Sequence, residues 1–218
     1  MKAKLQSARA KTHTIYKLKS GKQIVGVTTV LQLLSKPALI HWAWEQGKAG
    51  YDYRKVRDAA GEVGTLAHHL ISSHLKAIEP YLLDYSAIQL TQAVNSYRRY
   101  LEWEEQHKIE PILIEEPLVS ELYGYGGTPD LLARLDGELT LVDFKSGGIY
   151  IEHYAQSCAY WNLLREKGYF SIKKIIILGI PRDEGDSFKE ETYRDFERGF
   201  DIFIHLLRVY ELLNRKGE

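Results

Sequence analysis

The pair Asp136-Gly137, inside the stretch TPDLLARLDGELTLVDFK (residues 128–145), constrains this chain more than any other feature. It separates two runs that read as strands, and Asp-Gly is the preferred sequence of a two-residue type I′ hairpin loop. With those two residues as the loop, Leu135 faces Glu138 and every facing pair sums to 273. Asp130 then stands opposite Asp143. Residues two apart on a strand share a face, so Lys145 joins both carboxylates, with Leu132 and Leu141 further along the same side. Two ionised carboxylates across a ladder repel unless one is protonated or a cation lies between them. Converging hard oxygen ligands suit Mg²⁺ or Mn²⁺, and a lysine beside them suits metal-assisted phosphodiester hydrolysis. The plainer reading is a surface Asp–Lys ion pair, and a β-bulge in the hairpin would break the register.

The rest of the chain reads as helices, a block of strands, a helix, a strand and a helix, the order of one mixed α/β layer structure. Residues 13–29 alternate around Ser20-Gly21 and predict a hairpin; two short helices follow, interrupted at Pro37. Apolar residues from Val63 to Ile78 recur at helical spacing, predicting a helix over 61–78. A polar helix is expected over about 86–108, a strand over 112–119 and a helix over 151–168. A buried strand over 172–180 and a last helix over roughly 193–214 complete the pattern. Gln156 and Tyr160, four apart, share a helix face, and Cys158 between them reads as core. Trp42 and Trp44, two apart, cannot both be buried on one helix face. Whichever is exposed could stack on an unpaired base, with core packing as the alternative.

The chain has 218 residues and one cysteine, which excludes an internal disulfide framework and any four-cysteine metal site. Its apolar runs are too short for a membrane helix. The formal charge of zero conceals an asymmetry: residues 1–44 hold eight Lys/Arg and no acid, leaving a net of −8 on the remainder. Residues 1–12 are read as a basic arm, either a polyanion contact or a solvated terminus, and residues 13–218 as a single domain. A cytoplasmic location is expected, since no apolar core of a secretory signal follows the first lysines.

Pro129-Asp130, twelve residues and then Asp143-Phe144-Lys145 resemble the PD-(D/E)XK nuclease superfamily, and more narrowly its RecB-like, phage-type exonuclease branch. Three further stretches match that branch in order: GTLAH (64–68), IEEPL (114–118) and QSCAY (156–160), the last being its Q-x-x-x-Y. The segment 27–47 also resembles the opening of phage-type members, so the likeness covers roughly residues 13–180. The resemblance implies a restriction-endonuclease-like α/β core, a central mixed β-sheet flanked by helices. It implies that His68, Asp130, Asp143 and the Phe144 carbonyl hold Mg²⁺ or Mn²⁺, with Glu115 close to the ion or its waters; Glu116 is the alternative to Glu115. Lys145 would position the attacking water, and Gln156 and Tyr160 would reach a phosphate. Periodicity alone does not select His68, because His74 lies at the centre of the apolar stripe, where a satisfied core histidine is the commoner case.

The implied function is a metal-dependent deoxyribonuclease, an exonuclease of recombination, repair or DNA processing in a bacterial or phage-infected cell. The alternatives are a superfamily endonuclease of restriction or junction type and a non-catalytic DNA-binding module on the same scaffold. The chain lacks a Walker lysine motif and a G-x-S-x-G elbow, so helicase and serine-hydrolase chemistry find no support.

Overall fold

The computed structural model describes residues 14–34 and 37–215. The basic arm expected over 1–12 lies outside them. Tyr16–Lys17 (β1) and Gln23–Gly26 (β2) form a short antiparallel hairpin. Its second arm ends earlier than expected, because Val27–Leu31 is helix α1. Val27, Val30 and Leu31 bury themselves at helical spacing, which overrides the β-branched run. Pro37 does not interrupt a helix but opens the next, α2 (Pro37–Lys48), at the position where a missing N–H costs nothing.

Helix α3 (Tyr53–Leu75) starts eight residues before the periodic stretch, at Asp52, whose carboxylate accepts the Arg54 N–H at 3.0 Å. Helix α4 (Ala87–Glu104) begins at a capping box made by Ser86 and Gln89. The expected continuation of α4 to residue 108 is not observed. Strand β3 (Ile109–Ile114) begins immediately after the turn and carries Pro111, which an edge strand tolerates. Three short or medium strands follow: β4 (Leu118–Ser120), β5 (Tyr125–Gly127) and β6 (Leu131–Leu135). The single strand expected over 112–119 is therefore two, in different sheets. Then come β7 (Glu138–Lys145), α5 (Ile151–Glu166), β8 (Lys174–Gly179), β9 (Lys189–Tyr193) and α6 (Phe196–Asn214). Strand β9 replaces the start expected for the last helix, which Asp195 caps instead.

The main sheet has the order β3-β6-β7-β8-β9, antiparallel except for the parallel pair β7–β8. One face packs Leu131, Ala133, Val142, Phe144, Ile176 and Leu178 against Ile71 of α3 and Tyr100 and Trp103 of α4. The other packs Leu132, Leu141, Ile175 and Ile177 against α5 and α6, with Cys158 fully buried among them. This is the expected fold class: a central mixed sheet flanked by helices. A second sheet, β1-β2-β5-β4, was not foreseen. Its strands are two to four residues long and rich in glycine, too little for a period to register. No helix among the described residues is long and apolar enough to cross a membrane.

The hairpin has the expected register, with Leu135 opposite Glu138 and Leu131 opposite Val142. Asp136 (φ 52°) and Gly137 (φ 87°) both occupy the left-handed region that a type I′ loop requires. Gly137→Ala should therefore cost about 1–2 kcal/mol. Urea unfolding should show a lower midpoint at unchanged slope.

Candidate active site

The candidate site forms where the main sheet opens at the start of β6. Asp130 lies one residue before that strand, and the register places it opposite Asp143. Its carboxylate is held from two sides. Oδ2 accepts the Phe144 N–H at 2.9 Å. Oδ1 lies 3.2 Å from Nδ1 of His68 on α3. The His68 Nδ1 thus faces the Asp130 carboxylate directly. The His68 ring also meets the Phe144 ring edge-on, with centroids 5.9 Å apart.

The helix approaches this closely because of Gly64, one turn before His68. A Cβ there would meet the Ser146 hydroxyl, just past Lys145, at 2.7 Å. The GTLAH stretch thus combines a close-approach glycine with the side chain that the approach delivers.

Glu115 arrives by a bulge. Strand β3 pairs Pro111 with Ala133 but then Leu113 with Leu132, so Ile112 is an extra residue. Without the shift Ile114 would face Asp130. With it Glu115 does, and its N–H donates to the Asp130 carbonyl at 3.0 Å. Glu115 itself has φ 49°, a left-handed conformation at the strand end. Glu116 points elsewhere and pairs with Lys167 of the α5 C-cap. The ligand atoms of His68, Glu115 and Asp130 lie within 4.8 Å of one another.

Asp143 stands beside this set rather than in it. It is 1% exposed, and its Oδ2 pairs with the Lys145 ammonium. Burial, reinforced by the Asp130 charge and opposed by Lys145, pushes its pKa up to about 6. The Phe144 backbone completes the rim. The Lys145 carbonyl accepts from Ile180 on the β8 side at 2.8 Å, so Phe144 turns its N–H and C=O the other way, toward Asp130. Opposite Phe144 in the register is Pro129, which has no N–H to offer that carbonyl. Two carboxylates and an imidazole form a donor set suited to a divalent cation.

On the α5 face, Gln156 donates to the Tyr160 hydroxyl at 2.8 Å. Tyr160 is nearly fully buried, with its pKa pushed well above the usual phenol range by burial and then by the Asp143 charge, so it remains a phenol. Gly127 lies against this ring, where a Cβ would sit 2.5 Å from Cε1.

Two neighbours escaped the sequence reading. The Tyr16 ring covers Gly126, and its hydroxyl is 3.0 Å from Oγ1 of Thr128, two residues before Asp130. The tract Gly126-Gly127 was the available signal, since adjacent glycines in a strand mark close approach. His74 is not a core residue: it is exposed and bonds Glu104 of α4 at 2.7 Å. His69 accepts the Tyr81 N–H at 3.0 Å, and burial lowers its pKa.

No protein-family model matches the chain, and neither does any curated protein. Among solved structures, the chain is similar to that of SSO0001 at 16% identity, with 89% of this chain and 78% of that chain covered and a TM-score of 0.42. It is also similar to a protein of Eubacterium rectale that carries the name "Putative exonuclease", at 11% identity, with 72% and 69% covered and a TM-score of 0.47. Likenesses of this degree establish neither a family nor an activity.

The raised pKa of Asp143 makes stability depend on pH in a defined sense. Between about pH 4 and 6 the folded carboxyl keeps a proton that the unfolded chain releases, so stability falls as pH rises through that window. In EDTA, the stability of the wild type minus that of Asp143→Asn should drop by roughly 2 kcal/mol from pH 4 to 7. Chemical denaturation of both proteins across that range measures the difference. A difference that stays flat would contradict the raised pKa.

Proposed function

We propose that the chain is a divalent-metal-dependent deoxyribonuclease. The observation that carries this reading is the convergence of His68, Glu115 and Asp130 within 4.8 Å beside the buried Asp143–Lys145 pair. An ion pair on a strand surface explains none of that convergence. His68, Glu115, Asp130, Asp143 and the Phe144 carbonyl would hold the ion, and the oxygen-rich set favours Mg²⁺ or Mn²⁺. When bound, such an ion lowers the pKa of water and polarises a phosphoryl oxygen.

The protein's own groups do the rest. Lys145 is held by Asp143 at the mouth of the site, only 15% exposed along its side chain. There it orients the attacking water and stabilises charge developing on the phosphate. Gln156 contacts the phosphate, and Tyr160 fixes its amide from below. Exonuclease action in recombination, repair or DNA processing, in the cytoplasm of a bacterial or phage-infected cell, follows from the ordered motif resemblance.

Digestion of end-labelled linear DNA tests this reading. Cleavage is expected with Mg²⁺ or Mn²⁺ and none with EDTA. Lys145→Ala should lose roughly 10²–10³-fold in rate while still binding Mn²⁺. Closed circular DNA should survive, and its cutting would replace the exonuclease with an endonuclease. Absence of any metal-dependent hydrolysis would leave only a DNA-binding module.

A further inference from the structure

Traced back from His68, one line along α3 carries Gly64, Gly61, Arg57 and Arg54, spaced four, three, four and three residues apart. The line is about 21 Å long. Gly64 has a packing reason in Ser146, but Gly61 has none: it is exposed, and a Cβ there would meet nothing within 4 Å. A glycine inside a helix weakens it, so an exposed one with open space around it calls for another explanation.

The far end of the line is aromatic and cationic. Trp42 turns in, edge-on to Tyr53 with centroids 6.5 Å apart. Trp44 stays 57% exposed, with the Lys48 ammonium 4.2 Å from its ring centroid. Tyr51 is 63% exposed, and the Arg54 guanidinium lies 5.9 Å over the Tyr53 ring. Arg54 and Arg57 pair with Asp52 and Asp58, but these are exposed ion pairs, weak enough to exchange for a phosphate.

We propose that this line is the track of an unpaired DNA strand leading to the metal centre, a substrate assignment that rests on the nuclease reading. The backbone lies over the bare helix surface at Gly61 and Gly64, with its phosphates met by Arg54 and Arg57. Bases further along stack on Trp44 and Tyr51. Exposed rings interleaved with cations are what a flexible, charged strand with π-faced bases requires.

Fluorescence anisotropy with a fluorescein-labelled twelve-nucleotide oligothymidylate tests the track, using Lys145→Ala protein in Ca²⁺ to prevent cleavage. Adding Trp44→Ala should weaken binding roughly 5- to 150-fold, the range for losing one stacked base. Gly61→Glu should also weaken it, while its melting temperature holds or rises because a helix glycine has been removed. That opposition separates a strand contact from a structural role.

Unchanged affinity in both variants would overturn the proposal. So would equal sensitivity of a fully paired duplex to Trp44→Ala. If Gly61→Glu spared the oligothymidylate but abolished a self-association seen by light scattering, the surface would belong to a second copy and the proposal would fall. A parent protein that takes up Mn²⁺ but binds neither form of DNA would remove the nuclease reading itself.

Discussion

The Asp130 carboxylate ties together parts of the molecule that have no other reason to meet at this point. One oxygen takes the place of a ladder acceptor for Phe144, and the other engages His68 from the helical layer. The main-chain carbonyl of the same residue takes the Glu115 N–H from the edge strand. A single residue at a strand end, through its side chain and its carbonyl, thus links α3, β3 and β7. The bonds to a charged acceptor are the stronger kind, and both carboxylate partners are largely buried. The positions of His68, Glu115 and the Phe144 backbone all depend on it.

Local irregularities around that residue each have a physical consequence. Pro129 supplies no ladder donor to Phe144, whose own N–H turns to the Asp130 carboxylate. The bulge at Ile112 changes the parity of β3 and exchanges Ile114 for Glu115 at the rim. Gly64 and Gly127 remove side chains where α3 meets the turn after Lys145 and where β5 meets Tyr160. These departures from ideal helix and strand cluster at one end of the sheet, while β7 itself is regular and buried on both faces. A rigid strand carrying Asp143 and Lys145, surrounded by specialised neighbours, is a sound scaffold for a preorganised site.

The readable parts of the sequence were those with short-range causes. Asp136-Gly137 specified its own loop, and the loop specified the register, so the facing of Asp130 and Asp143 needed no structure. The helix carrying Gln156 and Tyr160 and the buried strand after it were equally plain from their apolar patterns. The start of α3 was missed because residues 53–60 are nearly all exposed and carry no apolar period, so only the cap at Asp52 marks where the helix begins. The β4–β5 strands and β9 were missed because they are too short or too polar to show a period.

By itself, then, the sequence determined the hairpin, its register and the shared face of Asp130, Asp143 and Lys145, because a two-residue turn and a period of two are local geometry. The motif resemblance pointed to His68 and Glu115, but only the tertiary structure gives the physical reason that this histidine and this glutamate lie beside Asp130. Glu115 rather than Glu116 faces Asp130 because of a one-residue bulge in a strand pairing that spans distant parts of the chain. His68 rather than His74 reaches it because Gly64 lets one particular turn of α3 descend onto β7. Both outcomes depend on how two separately specified elements pack, and no local pattern encodes a packing distance.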